Sequence, residues 1–258
     1  MARERPARIR RQIEREFGVP IAGEIVDEEQ WTSTALKELP EGYLDQREIY
    51  GRQVPLVLDL GCGNGRFLIG SAVWRREFDH LGVDVLPLVI RYATRRANQR
   101  GLNNIRFACG SGRELLDHIK PRSATEIHCY HPQPYYDPGE IGQRLVTPEF
   151  LAKVHTTLVP DGLFVIQTDH PAYWKYIREA ALAFFAFEEL PGRWPDAPKG
   201  RTRREIIALR RGLPIFRGQG RPRADLSPEA LKELVATLPL PLFDADRSLQ
   251  ELDHLEAE

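Results

Sequence analysis

From Val54 onward, short apolar runs alternate with segments of helical periodicity, the pattern expected of a parallel sheet wound with helices. Pro55-Leu-Val-Leu-Asp-Leu60 reads as a first strand buried on both faces. Residues 66–76 read as a helix and 80–84 as a second strand. The helix over 86–100 sets Leu88 and Tyr92 on an apolar face and Arg95 and Arg96 on a basic one, and Gly101 suits its C-terminal cap. A third strand follows at 104–109, a short helix at 113–120 and a fourth strand at 126–130, which runs into a proline-rich loop. Thr147-Pro148 opens the next helix as cap and first residue. Asp161-Gly162 turns into a fifth strand over 163–168, and a helix covers 172–184. Residues 205–216 read as a closing pair of strands. Ser227-Pro228 then starts a last amphipathic helix carrying Leu231, Leu234, Val235 and Leu238. No internal repeat interrupts this series.

Composition narrows the class. At 258 residues, the chain is long enough for one large core with a short appended segment. Its 42% hydrophobic and 28% charged residues exclude wholesale disorder. No apolar run approaches the ~20 residues of a membrane span, and no apolar stretch follows the N-terminal charges as a secretory signal requires. Cys62, Cys109 and Cys129 show no metal-ligand spacing and read as reduced, part-buried thiols. A soluble, cytoplasmic protein with no membrane partner and no metal is expected; nothing in the sequence fixes its oligomeric state.

The net charge of −1 conceals an asymmetry. Arg3, Arg5, Arg8, Arg10, Arg11 and Arg15 make the N-terminus basic. A second basic block runs from Arg193 to Arg223, interrupted only by Asp196 and Glu205, and the tail from Asp225 to Glu258 is acidic. Such blocks suit either a polyanion-binding face or a solvated surface balanced by the tail.

The chemistry is concentrated in Asp59-Leu-Gly61-Cys-Gly63-Asn-Gly65, which follows the first strand and opens a helix. Glycines let the backbone turn tightly and approach a ligand where a Cβ would collide. A dinucleotide loop places its third glycine one residue later, where Arg66 stands. An acid ahead of the glycines suits a ligand with an ammonium group better than a pyrophosphate. Asp84, ending the second strand, is placed to accept hydrogen bonds from ribose hydroxyls. Together these features favour S-adenosylmethionine (SAM), and with it an α/β, Rossmann-like class I methyltransferase: a mostly parallel sheet with helices on both faces. The organisation expected is an N-terminal arm over 1–50, a SAM-binding domain over 51–223 and an acidic C-terminal extension over 224–258.

Several blocks in order resemble the bacterial tRNA (guanine-N7)-methyltransferases over residues 54–218, most of the chain. Asp59 to Gly65 matches that family's Glu-x-Gly-x-Gly-x-Gly, Gly82-Val83-Asp84 its Gly-Ile-Glu, and Asn104-Ile105-Arg106 its third strand. Thr168-Asp169, followed by Tyr173 and Tyr176, matches its Thr-Asp; Thr202, Glu205 and Gly212-Leu-Pro-Ile-Phe-Arg217 match its late Thr-x-x-Glu and Gly-x-Pro-Ile-aromatic-Arg. The glycine block is common to many SAM enzymes, whereas the later blocks are far more specific. The resemblance implies cofactor contacts from Asp59, Gly61, Gly63, Gly65, Asp84 and Ser111. It also implies substrate contacts from Asp169, Thr202 and Glu205, and tRNA as the partner.

The departures from the family pattern fall in the proline-rich loop. Where the family has Pro-Asp-Pro-Trp followed by Lys and a basic run, this chain has Pro132-Gln133-Pro134-Tyr135, Asp137 and Pro138-Gly-Glu-Ile-Gly-Gln143. Gln133 thus occupies the position of a catalytic acid, and Ser111 that of another acid. Guanine N7 has a free lone pair, so methylation there needs no general base. Alignment of the reactants can supply up to ~7–11 kcal/mol, and a carboxylate near the developing cation a few (~2.7–4) more. Gln133 keeps an amide but no charge, so a slower enzyme is expected. Aromatic Tyr135, Tyr136 and Trp194 suit stacking on an extruded base or simple packing; His131 reads as a polar strand-end residue. Two alternatives stay open: a SAM methyltransferase of a small-molecule or protein substrate, and a non-catalytic RNA-binding relative.

Overall fold

The computed structural model describes residues 13–257; Arg3, Arg5, Arg8, Arg10 and Arg11 of the basic N-terminus lie outside the described residues. In chain order the elements are β1 (Arg15–Glu16), β2 (Val19–Pro20), α1 (Gln46–Tyr50), β3 (Leu56–Leu60), α2 (Arg66–Trp74), β4 (Asp79–Asp84), α3 (Pro87–Asn98), β5 (Ile105–Cys109) and α4 (Gly112–Asp117). There follow β6 (Ala124–Tyr130), α5 (Pro148–Thr157), β7 (Leu158–Thr168), α6 (Pro171–Phe184), β8 (Phe185–Glu189), α7 (Arg203–Arg210), β9 (Phe216–Pro222), α8 (Pro228–Thr237) and α9 (Glu251–Ala257).

Among the described residues, seven strands form the central sheet in the order β5-β4-β3-β6-β7-β9-β8. The first five are mutually parallel; β9 pairs antiparallel with both β7 and β8. Strand order reverses between β3 and β6, and in such sheets ligands bind in the crevice beyond the carboxyl ends of the strands. Alternation along β3 divides the core in two. Leu56, Leu58 and Leu60 join Phe150, Phe164 and Tyr173 on the α4–α6 face, while Val57 joins Leu68, Ile69, Ala93 and Phe107 on the α2–α3 face. At ~1.5–3 kcal/mol for each fully buried large aliphatic or Phe side chain, these two layers dominate the drive to fold.

The fold is the Rossmann-like one expected, with three local corrections. Residues 205–216 are not a pair of strands: α7 covers 203–210, and the closing pair is β8 with β9. The β-branched pair Ile206-Ile207 suggested a strand, but Thr202 caps a helix there, its Oγ1 accepting from Glu205 N–H at 3.1 Å. Arg204 and Glu205 are buried in succession with Ile206, Ile207 and Ala208, so charged residues occupy interior positions of this helix. On α3 the buried face is Ile90, Ala93 and Ala97, whereas Leu88 and Tyr92 are half exposed. Finally, β7 starts at Leu158, and Asp161-Gly162 sits in a bulge opposite 124–126 rather than in a turn before the strand.

Beyond β9, α8 buries Leu231 against the α5 side of the core. The chain then crosses the carboxyl ends of the strands. Arg144 donates to Pro241 O at 2.5 Å and lies 3.6 Å over the Phe243 ring; α9 packs on α7, with Leu249 and Leu252 meeting Ile207. Among the described residues no helix is long and apolar enough to cross a membrane.

Candidate active site

The loop from β3 to α2 takes its shape from three glycines used for two different reasons. Gly61 (φ +84°) and Gly63 (φ +51°) have left-handed backbones, and a Cβ on either would meet nothing within 4 Å: their side-chain positions open onto free space. Gly65 (φ +76°) instead faces Ala93 and Phe107, each 2.9 Å from a Cβ built there, so it serves packing of α2. The loop is pinned by Asp84, whose two oxygens accept from Gly63 N–H at 2.9 Å and Leu86 N–H at 3.0 Å. Beside it Val85 and Leu86 are 60% and 54% exposed, an apolar shelf next to a carboxylate at the carboxyl ends of β4 and β5.

Asp59, next to last in β3, is buried at 1% exposure, and its Oδ1 has no hydrogen-bond partner. Burial, reinforced by the Asp84 carboxylate, pushes its carboxyl well above the usual range. An unpaired buried acceptor is costly, and a cationic donor arriving over Gly61 and Gly63 would relieve it. An unsatisfied carboxylate, two glycines open to space and a second acid beside an apolar shelf fit a ligand combining an ammonium, a ribose and a flat base, as SAM does. Ser111, by contrast, caps α4: its Oγ accepts from Glu114 N–H at 3.1 Å in a reciprocal capping box.

Across the switch point, the ends of β6 and β7 carry a second cluster. His131 (φ +51°) and Tyr135 (φ +43°) hold the left-handed backbone without being glycine, a strain that tends to persist where function needs it. Gln167 Nε2 donates to His131 Nε2 at 2.8 Å, which leaves Nδ1 to donate to Asp169 Oδ1 at 3.2 Å. Arg204 Nε donates to Asp169 Oδ2 at 2.7 Å. Burial alone would raise the Asp169 carboxyl, but His131 and Arg204 hold it well below the usual range. Glu205, fully buried, pairs with Arg217 at 2.5 Å and accepts from Arg201 N–H at 2.8 Å. Gln133 is exposed in the loop after β6, and its amide lies close to Asp253 of α9, where it favours the ionised carboxyl.

The expected residues are not all in one place. Asp59, Gly61, Gly63 and Thr202 line one hollow, together with His131 and Arg204. Asp84 and Ser111 lie along the neighbouring strand ends. Thr202 and Glu205 are in place as a helix cap and a buried ion pair. The basic block is not one open face: Arg204 and Arg217 are buried and paired, and Arg201 is stacked 3.6 Å over Trp194.

Sequence reasoning missed Glu16 and Asp253. The β1–β2 hairpin brings Glu16 onto Asn64 at 2.7 Å, Arg203 at 3.2 Å and Arg96 at 3.3 Å, sealing the far side of the glycine loop. No local motif announces such contacts, which join residues far apart in the chain. A cleft of about 810 Å³ lies behind this loop on the α2 face. On one wall Arg75 and His128 both bond Glu126.

Residues 53–217 match the family model described as "Putative methyltransferase". The tRNA (guanine-N(7)-)-methyltransferase of Rubrobacter xylanophilus is 30% identical over 184 residues, 67% of this chain and 79% of that protein. The enzyme of the same name from Halorhodospira halophila is 32% identical, over 68% of this chain and 78% of its own. The chain belongs to the tRNA (guanine-N7)-methyltransferase family. The crystal structure of the 16S rRNA methyltransferase KamB, 15% identical, superposes with a TM-score of 0.54 over 74% of this chain and 98% of its own, a likeness of fold. This family membership makes the protein a methyltransferase, and the glycine loop and carboxylate cluster lie where that fold places its ligands.

Proposed function

We propose that the protein transfers a methyl group from SAM to N7 of a guanine in tRNA. The observation that carries the reading is the Asp59 carboxylate, its buried Oδ1 unpartnered, beneath two open glycines and facing a carboxylate cluster across the switch point. SAM, when bound, supplies an electrophilic methyl on a sulfonium. Asp59 would take its ammonium, Gly61 and Gly63 would admit its backbone-hugging portion, and Asp84 would retain lone pairs for the ribose hydroxyls. Gly65 and Ser111 would support the cofactor indirectly, through packing of α2 and capping of α4.

On the acceptor side, Asp169 and Arg204 form an edge of paired charge, and Thr202 fixes α7 so that Arg204 faces it. Glu205 would act by holding Arg217 and the turn at Arg201, not by touching a base. Gln133, exposed beside the cluster, would meet the acceptor through its amide. A cytoplasmic protein working on tRNA accords with this reading.

The test is methyl transfer from labelled SAM to tRNA from cells that lack N7-methylguanosine, read by nucleoside mass spectrometry. N7-methylguanosine above the no-enzyme level is expected. Its absence, with SAM binding demonstrated by calorimetry, would overturn the substrate assignment and leave a methyltransferase of another substrate.

A further inference from the structure

The chain beyond the family's matched span, which ends at 217, returns to the site and brings charge to it. Asp253 on α9 accepts from Arg204 Nη1 at 2.5 Å, and the Gln133 amide lies close enough to favour its ionised form. Arg247, just ahead of α9, donates to Asp137 at 2.6 Å. The two regions fall on loop positions where the chain departs from its family's pattern: a neutral amide at Gln133 and an acid at Asp137.

We propose that Asp253, carried back by the C-terminal extension, is the carboxylate this site presents to the methyl acceptor, in place of the acid for which Gln133 stands. The inference rests on the guanine-N7 reading above. Other acids of the cluster are poorly placed for the task. Glu205 has no side-chain exposure and Asp169 has 5%, and both oxygens of each accept from the chain's own donors. Asp253 retains 22% exposure beside the exposed Gln133. Asp169 and Asp253 share one guanidinium, so the three groups carry a formal charge of −1.

That surplus charge matters in the transfer step. The N7 lone pair forms the new N–C bond as the S–C bond breaks, sulfur keeps the bonding pair, and the positive charge ends on the base ring without movement of a proton. A net negative cluster fixed beside the ring attracts the product-like transition state more than the neutral base. Burial raises the Asp253 carboxyl, while Arg204 opposes the shift and favours the ionised form. At Asp137, Arg247 offsets an acid that would otherwise repel a passing phosphate. Both partners there are about 60% exposed, so the pair adds charge balance rather than stability.

The experiment is steady-state methylation of tRNA by the full chain and three variants. Asp253→Asn keeps the size and an acceptor for Arg204 while removing the charge. Its kcat is expected to fall about 10- to 100-fold, with KM for SAM and the melting temperature little changed. Adding Gln133→Asp to that variant should return kcat to near the original value, which a merely structural role of α9 would not produce. Glu251→Gln, on the same helix as Asp253, breaks only the exposed pair with Arg211 at the end of α7 and should leave kcat unchanged. Full activity in Asp253→Asn, or a loss that Gln133→Asp does not relieve, overturns the proposal. Absence of N7-methylguanosine with the unaltered protein overturns the guanine reading, and this inference with it.

Discussion

Glu205 and Arg217 meet at 2.5 Å in the interior, joining α7 to β9 across the edge of the sheet. Glu205 is fully buried and Arg217 is 5% exposed; the guanidinium also reaches Gly192 O at 2.5 Å. Removing one member of such a pair strands the other charge, which costs about 3–5 kcal/mol, whereas removing both is far milder. Arg217→Met should therefore destabilise by that amount in urea unfolding, and adding Glu205→Gln should recover much of the loss. A single variant within 1 kcal/mol of the unaltered protein would show that water reaches the pair.

Asp59→Asn should split stability from binding. The substitution removes a buried carboxylate with an unpartnered oxygen, so the ligand-free protein should melt at the same temperature or higher. The same change takes away the charge proposed to meet the SAM ammonium, and affinity should fall at least tenfold, about 1.4 kcal/mol. Calorimetry and a thermal melt on one preparation decide the matter: SAM affinity that survives the change would remove Asp59 from the cofactor site.

How much of this was legible in the sequence follows from the range of each interaction. β3 and its loop were readable because a continuous apolar run followed by glycines is a local signal. Helix α7 was not, because two of its buried residues, Arg204 and Glu205, are charged and Ile206-Ile207 mimics a strand. The arginines of the 193–223 block were legible as charges, yet their directions were not: Arg204 turns inward to Asp169 and Asp253, residues 35 and 49 positions away. Asp253 could not be assigned to the site from sequence, since only the path of the chain over Phe243 and Leu249 delivers it there.

Gly63→Ala and Gly65→Ala should fail in different ways. At Gly63 the added methyl enters open space, leaving only the cost of a left-handed alanine, roughly 1 kcal/mol. The methyl then occupies room proposed for the cofactor, so SAM binding should be lost from a folded protein. At Gly65 the same methyl would come within 2.9 Å of Ala93 and Phe107. Overpacking of about 1–3 kcal/mol adds to the backbone strain, and the melting temperature should drop well below that of Gly63→Ala. Equal melting temperatures would mean that α2 shifts to accept the methyl.

His80 should make the fold acid-sensitive. Its ring is fully buried, with Nδ1 3.2 Å from Asn104 O and Nε2 2.9 Å from Ser71 Oγ, so the neutral ring donates through Nδ1 and accepts at Nε2. Burial lowers its pKa from 6.5 to about 4, with the carbonyl of Asn104 partly opposing the shift. Between those values the unfolded chain binds a proton that the native one does not, so stability falls as pH falls from 6.5 towards 4. At ~1.4 kcal/mol per unit, the contribution amounts to roughly 3 kcal/mol. His128, His155 and His170 are lowered as well, again chiefly by burial, and act with the same sign. Urea midpoints at pH 7, 5.5 and 4.5 should fall steadily, and the fall should be shallower in His80→Gln, which has no ring to protonate. Parallel slopes for the two proteins would place the acid sensitivity elsewhere, on His128, His155 and His170 or on the carboxylates held by arginine.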